Sequence, residues 1–199
     1  MKQPDKRSLV HIQPSPDAIP APLQYYDPEL QNSLNIEPFD EERFQRARVK
    51  SKKLHAAYLK EVSSLSPRLN KSTFLRFSDS RQPLFDSNLL EFSLGDSLSN
   101  AEMRCHRKTL EMVVQAEFRS FDEKILHRLT YKKIKALNVN VPSERWFEMG
   151  RKNLDSLLAD ELTSVDAKLM QHSFLFASGA TISITFERVR WETMRNRRR

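Results

Sequence analysis

SFLFASGATISITFERVRW, residues 173–191, alternates apolar and polar side chains on both sides of a single glycine. Phe174 and Phe176 share one face of an extended segment. Ala180, Ile182, Ile184 and Phe186 then alternate with Thr181, Ser183, Thr185 and Glu187. Strict period-two alternation marks a half-buried strand, so the stretch reads as a β-hairpin. The pattern also chooses the loop. With Ala177-Ser178-Gly179 as a three-residue loop and Gly179 left-handed, Phe176 meets Ala180 and Phe174 meets Ile182, and every large apolar side chain falls on one face. A two-residue Ser178-Gly179 loop would set the phenylalanines against Thr181 and Ser183. Beyond Glu187 the phase flips to Val189 and Trp191, which predicts a bulge.

Upstream of the hairpin the periodicity is mixed. Leu110, Met112, Val114, Ala116 and Phe118 alternate with Glu111, Val113, Gln115, Glu117 and Arg119. A helical stripe through Met103, Leu110, Val114 and Phe118 also fits residues 108–119, although such long alternation favours a strand. Ser120-Phe121-Asp122-Glu123 has capping-box spacing, so a helix is expected over 121–137 with Phe121, Ile125, Leu126, Leu129, Ile134 and Leu137 on its apolar side. Pro142-Ser143 opens a further expected helix, 143–162, striped by Phe147, Gly150, Leu154, Leu157, Leu158 and Leu162. Between residues 66 and 98, Phe74 and Phe85 are candidate core anchors, and Leu90, Phe92 and Leu94 read as a strand. Asp40-Glu41-Glu42 followed by a basic run suits a helix dipole, giving a helix over 40–63. The expected fold class is therefore α+β: a small antiparallel sheet with a C-terminal β-hairpin, packed by two or three helices.

Three segments follow. Residues 1–38 hold seven of the ten prolines, which denies the backbone both helix and central strand, so this stretch reads as a disordered arm. Its apolar patch, Leu23, Tyr25, Tyr26 and Leu30 within APLQYYDPEL, is a candidate docking motif for a protein partner. Residues 39–194 form one folded domain, with 39–65 as its N-terminal helix, and 195–199 form a basic tail.

Composition narrows the function. Among 199 residues, 33 Lys and Arg stand against 26 Asp and Glu, a formal charge of +7. That surplus favours an acidic partner: nucleic acid or an anionic membrane surface. The three glycines, Gly95, Gly150 and Gly179, are too dispersed for a phosphate-cradling loop or a dinucleotide fold. Cys105 is the only cysteine, so no internal disulfide forms. No apolar run reaches the roughly 20 residues of a membrane span, and MKQPDKRSLVHIQPSPD lacks the apolar stretch of a secretory signal. The chain is expected in the cytoplasm or nucleus.

No catalytic centre stands out. His11, His55, His106, His127 and His172 lack metal-ligand spacing, and Cys105 has no neighbouring base positioned for catalysis. Glu102 and His106, four apart, make an ordinary surface pair on a helix. The expectation is a non-enzymatic protein with no metal and no cofactor. Three basic clusters carry the functional reading. The first is Arg46, Arg48, Lys50, Lys52 and Lys53. The second is Lys124, Arg128, Lys132 and Lys135, which would line one side of a 121–137 helix beside Tyr131, an aromatic available for base stacking. The third is Arg195, Arg197, Arg198 and Arg199 in the tail. Together they predict a binding or assembly protein that meets polyanions (RNA, DNA or anionic membrane) through charge. The alternative is a protein–protein scaffold that docks through the arm.

Two stretches resemble the rhabdovirus matrix proteins. LEMVVQAEFRSFDEKIL is similar to that family's strand followed by an aromatic-acidic step into a helix, and GATISITF is similar to a late strand. The resemblance implies a virion-associated structural protein that binds membrane and nucleocapsid. Two features of that family are missing here: an N-terminal lysine-rich run, and a PPxY motif, in whose place stands APLQYY.

Overall fold

The computed structural model describes residues 23–34, 40–79, 82–96, 112–141 and 154–196. Their centre is an eight-stranded antiparallel sheet, and the helices among these residues all lie on the N-terminal side of the first strand. This overturns the α+β expectation: the described fold is mainly antiparallel β, with a few short helical pieces and one long helix.

Helix α1 spans Pro28–Leu34 and α2 spans Glu41–Ser64. The Asp40 carboxylate caps α2 by accepting from the Arg43 backbone N–H at 3.0 Å. A tight turn at Ser66–Arg68 leads to α3, Lys71–Phe77, which Asn70 caps through the Thr73 N–H. The strands are β1 Asn88–Asp96, β2 Met112–Arg119, β3 Ile125–Lys132, β4 Ala136–Asn140, β5 Leu154–Ser164, β6 Met170–Phe176, β7 Thr181–Phe186 and β8 Arg188–Arg195. Their order across the sheet is β4-β7-β6-β5-β1-β2-β3-β8.

The C-terminal hairpin has the register that its alternation demands. Phe174 pairs with Ile182, the Phe176 N–H donates to the Ala180 carbonyl at 2.9 Å, and Gly179 takes φ 82. The phase flip after Glu187 marks a corner. Strand β3 pairs with β8 from Ile125↔Arg195 to Lys132↔Arg188, and β4 pairs with β7 from Ala136↔Thr185 to Asn140↔Thr181. These are two arms of one ribbon, bent where Lys133 adopts φ 57 opposite Glu187. An offset of one residue at the bend lets Phe186, Val189 and Trp191 all face inward.

The bend folds the sheet onto itself. In a flat sheet β2 and β6 would lie about 14 Å apart, three strand spacings. The Phe118 and Phe174 rings are 5.3 Å apart, and Tyr131 lies 4.9 Å from Phe186. The core therefore sits between two layers, filled by Val114, Ala116, Leu129, Met170, Phe176 and Ile184, all fully buried. Helix α3 covers β8: the Trp191 N–H donates to Thr73 Oγ1 at 3.0 Å, and the Phe77 ring meets Trp191 edge-on at 4.9 Å. Helix α2 covers β5, where the Leu162 N–H donates to the Tyr58 hydroxyl at 3.3 Å.

Both expected helices are corrected. Over 121–137 the chain forms a turn, β3 and the start of β4. Ser120 is engaged as a capping residue would be, but it closes a hairpin. Its hydroxyl donates to Asp122 Oδ1 at 2.7 Å and accepts from the Ile125 N–H at 3.1 Å, while Glu123 takes φ 58. His127, Leu129 and Tyr131 then alternate inward with period two. The helix implied after FRSFDE by the matrix-protein resemblance is overturned with it, whereas GATISITF does contain strand β7. Over 143–162, residues 154–162 belong to β5, and the remainder lies outside the described residues. A bulge between Leu157 and Ala159 shifts the phase, so Leu157 and Leu162, five apart, are both buried. Leu158 and Leu162, four apart, read as a helical stripe, but Leu158 is only partly buried. Phe85, a candidate core anchor, is half exposed, and Phe74 packs at the core's edge.

Candidate electropositive surface at the sheet corner

The bend of the ribbon gathers cations. Because successive side chains of a strand point to opposite faces, burying Leu129 and Tyr131 in β3 turns Arg128, Thr130 and Lys132 outward. In β8, burying Val189 and Trp191 turns Arg188, Arg190 and Glu192 outward. Register then sets Lys132 directly opposite Arg188, with no carboxylate partner for either among the described residues. Like charges facing each other across a ladder repel.

At the bend itself stands one acid, Glu187. Lys133 Nζ donates to its Oε2 at 2.8 Å, and Lys135 Nζ lies 4.0 Å from its Oε1. The Lys133 hydrogen bond, with further attraction from Lys135 and from Lys168 in the β5–β6 turn, holds the Glu187 carboxyl below its ordinary range. Lys133, Lys135 and Lys168 thus converge on Glu187, Lys168 also acts on Asp166, and Lys132 and Arg188 stand beside this group as chain neighbours of Lys133 and Glu187. Farther along the outer face charge is balanced: Arg128 donates from two nitrogens to Glu117 Oε2 at 2.8 and 3.1 Å, and Arg190 lies 2.8 Å from Glu192.

The sequence clusters are redistributed accordingly. Lys132 and Lys135 are at the corner. Arg128 is neutralised. Lys124 sits in the β2–β3 turn at the far end of β3, roughly 26 Å along the strand, where it pairs with Asp122 at 3.5 Å. Tyr131 is fully buried, its hydroxyl 2.7 Å from His172 Nδ1, so the expected base-stacking role is overturned. Arg195 is exposed opposite Ile125, near Lys124, while Arg197, Arg198 and Arg199 lie outside the described residues. On α2, Arg46, Arg48, Lys50, Lys52 and Lys53 are all exposed but spread around the helix. Lys50 is drawn to Asp27 at 3.1 Å and Glu29 at 3.8 Å. Lys133, Lys168 and Arg188 were missed. Lys133 stood out only as a neighbour of two chosen lysines, and the other two reach the corner only through the fold.

The docking motif is occupied within the chain. The Gln24 and Tyr25 N–H groups donate to Glu161 Oε2 and Oε1 at 2.8 and 2.7 Å, and the Tyr25 ring lies 5.6 Å from Tyr58. Leu23, Tyr26 and Leu30 are partly buried. Glu161 is itself buried, which raises its pKa, while the arm's N–H donors pull it back. Residues 23–34 are therefore ordered against α2 and β5, because Glu161 supplies a buried acceptor pair that the sequence alone does not reveal. Cys105, His106 and Glu102 lie outside the described residues. Among the described residues no group of three or more His, Cys, Asp or Glu is placed to hold a metal ion, and no helix is long and apolar enough to cross a membrane. No protein-family profile matches this chain, and neither the curated proteins nor the solved structures contain a match.

Proposed function

We propose that the protein is a non-enzymatic binding protein that engages phosphate-bearing polyanions through the cationic corner of its sheet. The observation that supports this most is the facing pair Lys132 and Arg188, exposed and without a carboxylate partner among the described residues. An anion seated between them converts repulsion into two attractive contacts. Lys133, Lys135 and Lys168 extend the same field around Glu187. With the aromatic Tyr131 buried and Thr130 and Gln115 beside the cations, the surface suits backbone contact rather than base stacking, and so binding without sequence preference.

The test is a titration of a short labelled RNA duplex and of anionic vesicles at about 50 and 200 mM salt. Neutralising about four phosphates makes the duplex affinity fall roughly 100-fold over that interval. A Lys132→Glu, Arg188→Glu double variant flattens the salt dependence and weakens binding at least about tenfold, since each lost contact removes released counterions. Reversing Arg46 and Arg48 on α2 has a much smaller effect. Salt-independent binding, or a double variant indistinguishable from the parent, refutes the reading.

A further inference from the structure

A cavity of about 550 Å³ opens where residues 25–30 meet α2 and β5. Its aromatic walls are Tyr25, Tyr26, His55, Tyr58 and Phe85, and its polar rim includes Asp27, Asp160, Glu161 and Lys52. The volume lies in the range of small-ligand sites, and the mainly apolar lining with few polar groups is their usual chemistry.

The polar groups define what fits. Asp27 is already paired with Lys50 at 3.1 Å, and Glu161 is committed to the Gln24 and Tyr25 N–H groups. Asp160 is different. Its Oδ2 accepts from His172 Nε2 at 3.0 Å, and His172 is fixed in turn by the Tyr131 hydroxyl at 2.7 Å on Nδ1. That chain orients the carboxylate and leaves Oδ1 uncommitted among the described contacts. On another wall, His55 Nε2 is buried without a partner among the described residues, while Nδ1 faces the Gln82 amide nitrogen at 3.5 Å. The amide nitrogen is a donor, so Nδ1 accepts from it and the ring proton stands on Nε2. A free carboxylate oxygen and aromatic walls together select an organic cation.

We propose that this cavity binds a compact organic cation, a guanidinium or alkylammonium group, and that the arm residues 25–30 close around it. The site is separate from the cationic corner and does not rest on the polyanion reading. Because Tyr25, Tyr26 and Asp27 belong to the arm, an occupied cavity holds the arm down. The arm's hold on Glu161 and occupation of the cavity are therefore coupled.

The test titrates the full chain with agmatine and with a neutral urea analogue, 4-hydroxybutylurea, in which a urea replaces the guanidinium and a hydroxyl replaces the amine, followed by hydrogen exchange. Agmatine binds saturably and slows exchange of the Gln24 and Tyr25 amides; the urea analogue does neither. Phe85→Ala, at a half-exposed position, keeps the fold and weakens agmatine about fivefold, the worth of one partly desolvated cation–aromatic contact. Lys52→Glu, on the rim, tightens it. A short arginine-containing peptide that binds better than agmatine identifies a protein side chain as the source of the cation; weaker binding identifies a free amine. No saturable agmatine binding, equal affinity for the urea analogue, or an unchanged Phe85→Ala variant with its fold intact overturns the proposal.

Discussion

Acid should unfold this protein through His127 before most carboxylates titrate. His127 is 5% exposed in β3, with its ring edge-on to Trp191 at 5.8 Å, and its Nδ1 accepts the Trp191 indole N–H at 3.2 Å. Burial, then the nearby Arg76 charge, pushes its pKa down to about 4 from the ordinary 6.5, against a smaller opposing pull from Asp160. A proton on Nδ1 would also face the indole donor and break that bond. The unfolded chain takes up this proton near pH 6.5 and the folded chain only near pH 4. Stability from a neutral His127 is thus complete above pH 6.5 and is lost progressively as pH falls toward 4. The full difference is about 3 kcal/mol, and about 2 kcal/mol is gone between pH 7 and pH 5. Urea unfolding at pH 7 and 5, followed by circular dichroism, measures it. His127→Asn keeps an acceptor near the indole but cannot titrate, so subtracting its pH dependence removes the contribution of Glu161 and other groups. If wild type and His127→Asn lose the same stability over this interval, the buried neutral imidazole is wrong.

Two structural predictions follow from single backbone contacts. Thr73→Val keeps the shape of α3 but strands the buried Trp191 N–H, whose acceptor is Thr73 Oγ1 at 3.0 Å; it should cost about 1–3 kcal/mol in urea unfolding. Gly179→Ala forces a β-carbon into φ 82 at the β6–β7 loop and should cost about 1 kcal/mol, with the folded-state circular dichroism spectrum unchanged. A neutral result in either unfolding experiment contradicts the corresponding contact or loop geometry.

The most legible parts of the fold were those written in one local pattern. The 173–186 hairpin carries its register and loop length in its own alternation, because a slip of one residue would expose every phenylalanine and isoleucine. Helix α2 is marked by Asp40 and the acidic first turn. The misreadings arose where two structures satisfy the same local rule. Ser120 with Glu123 matches a capping box, yet Ser120 and Asp122 serve equally well to close a hairpin. Leu158 and Leu162 match a helical stripe, yet in the strand a bulge turns Leu157, five residues from Leu162, to the buried side instead. In each case the choice is made by partners distant in the chain.

The candidate sites divide in the same way. The surplus of positive charge, the two lysines of the corner at 132 and 135, and the aromatic patch at 25–26 were visible because composition and spacing are local properties. Only the tertiary structure decides that Lys132 meets Arg188, that Lys168 approaches Glu187 and that Arg128 is silenced by Glu117. Only the folded chain places Glu161 beneath the arm and Asp160 beside Tyr58. The physical reason is that alternation and propensity act over a few residues, whereas electrostatic pairing and cavity walls depend on distance in space. Here that distance is set by one bent ribbon joining residues 125–140 to residues 181–195.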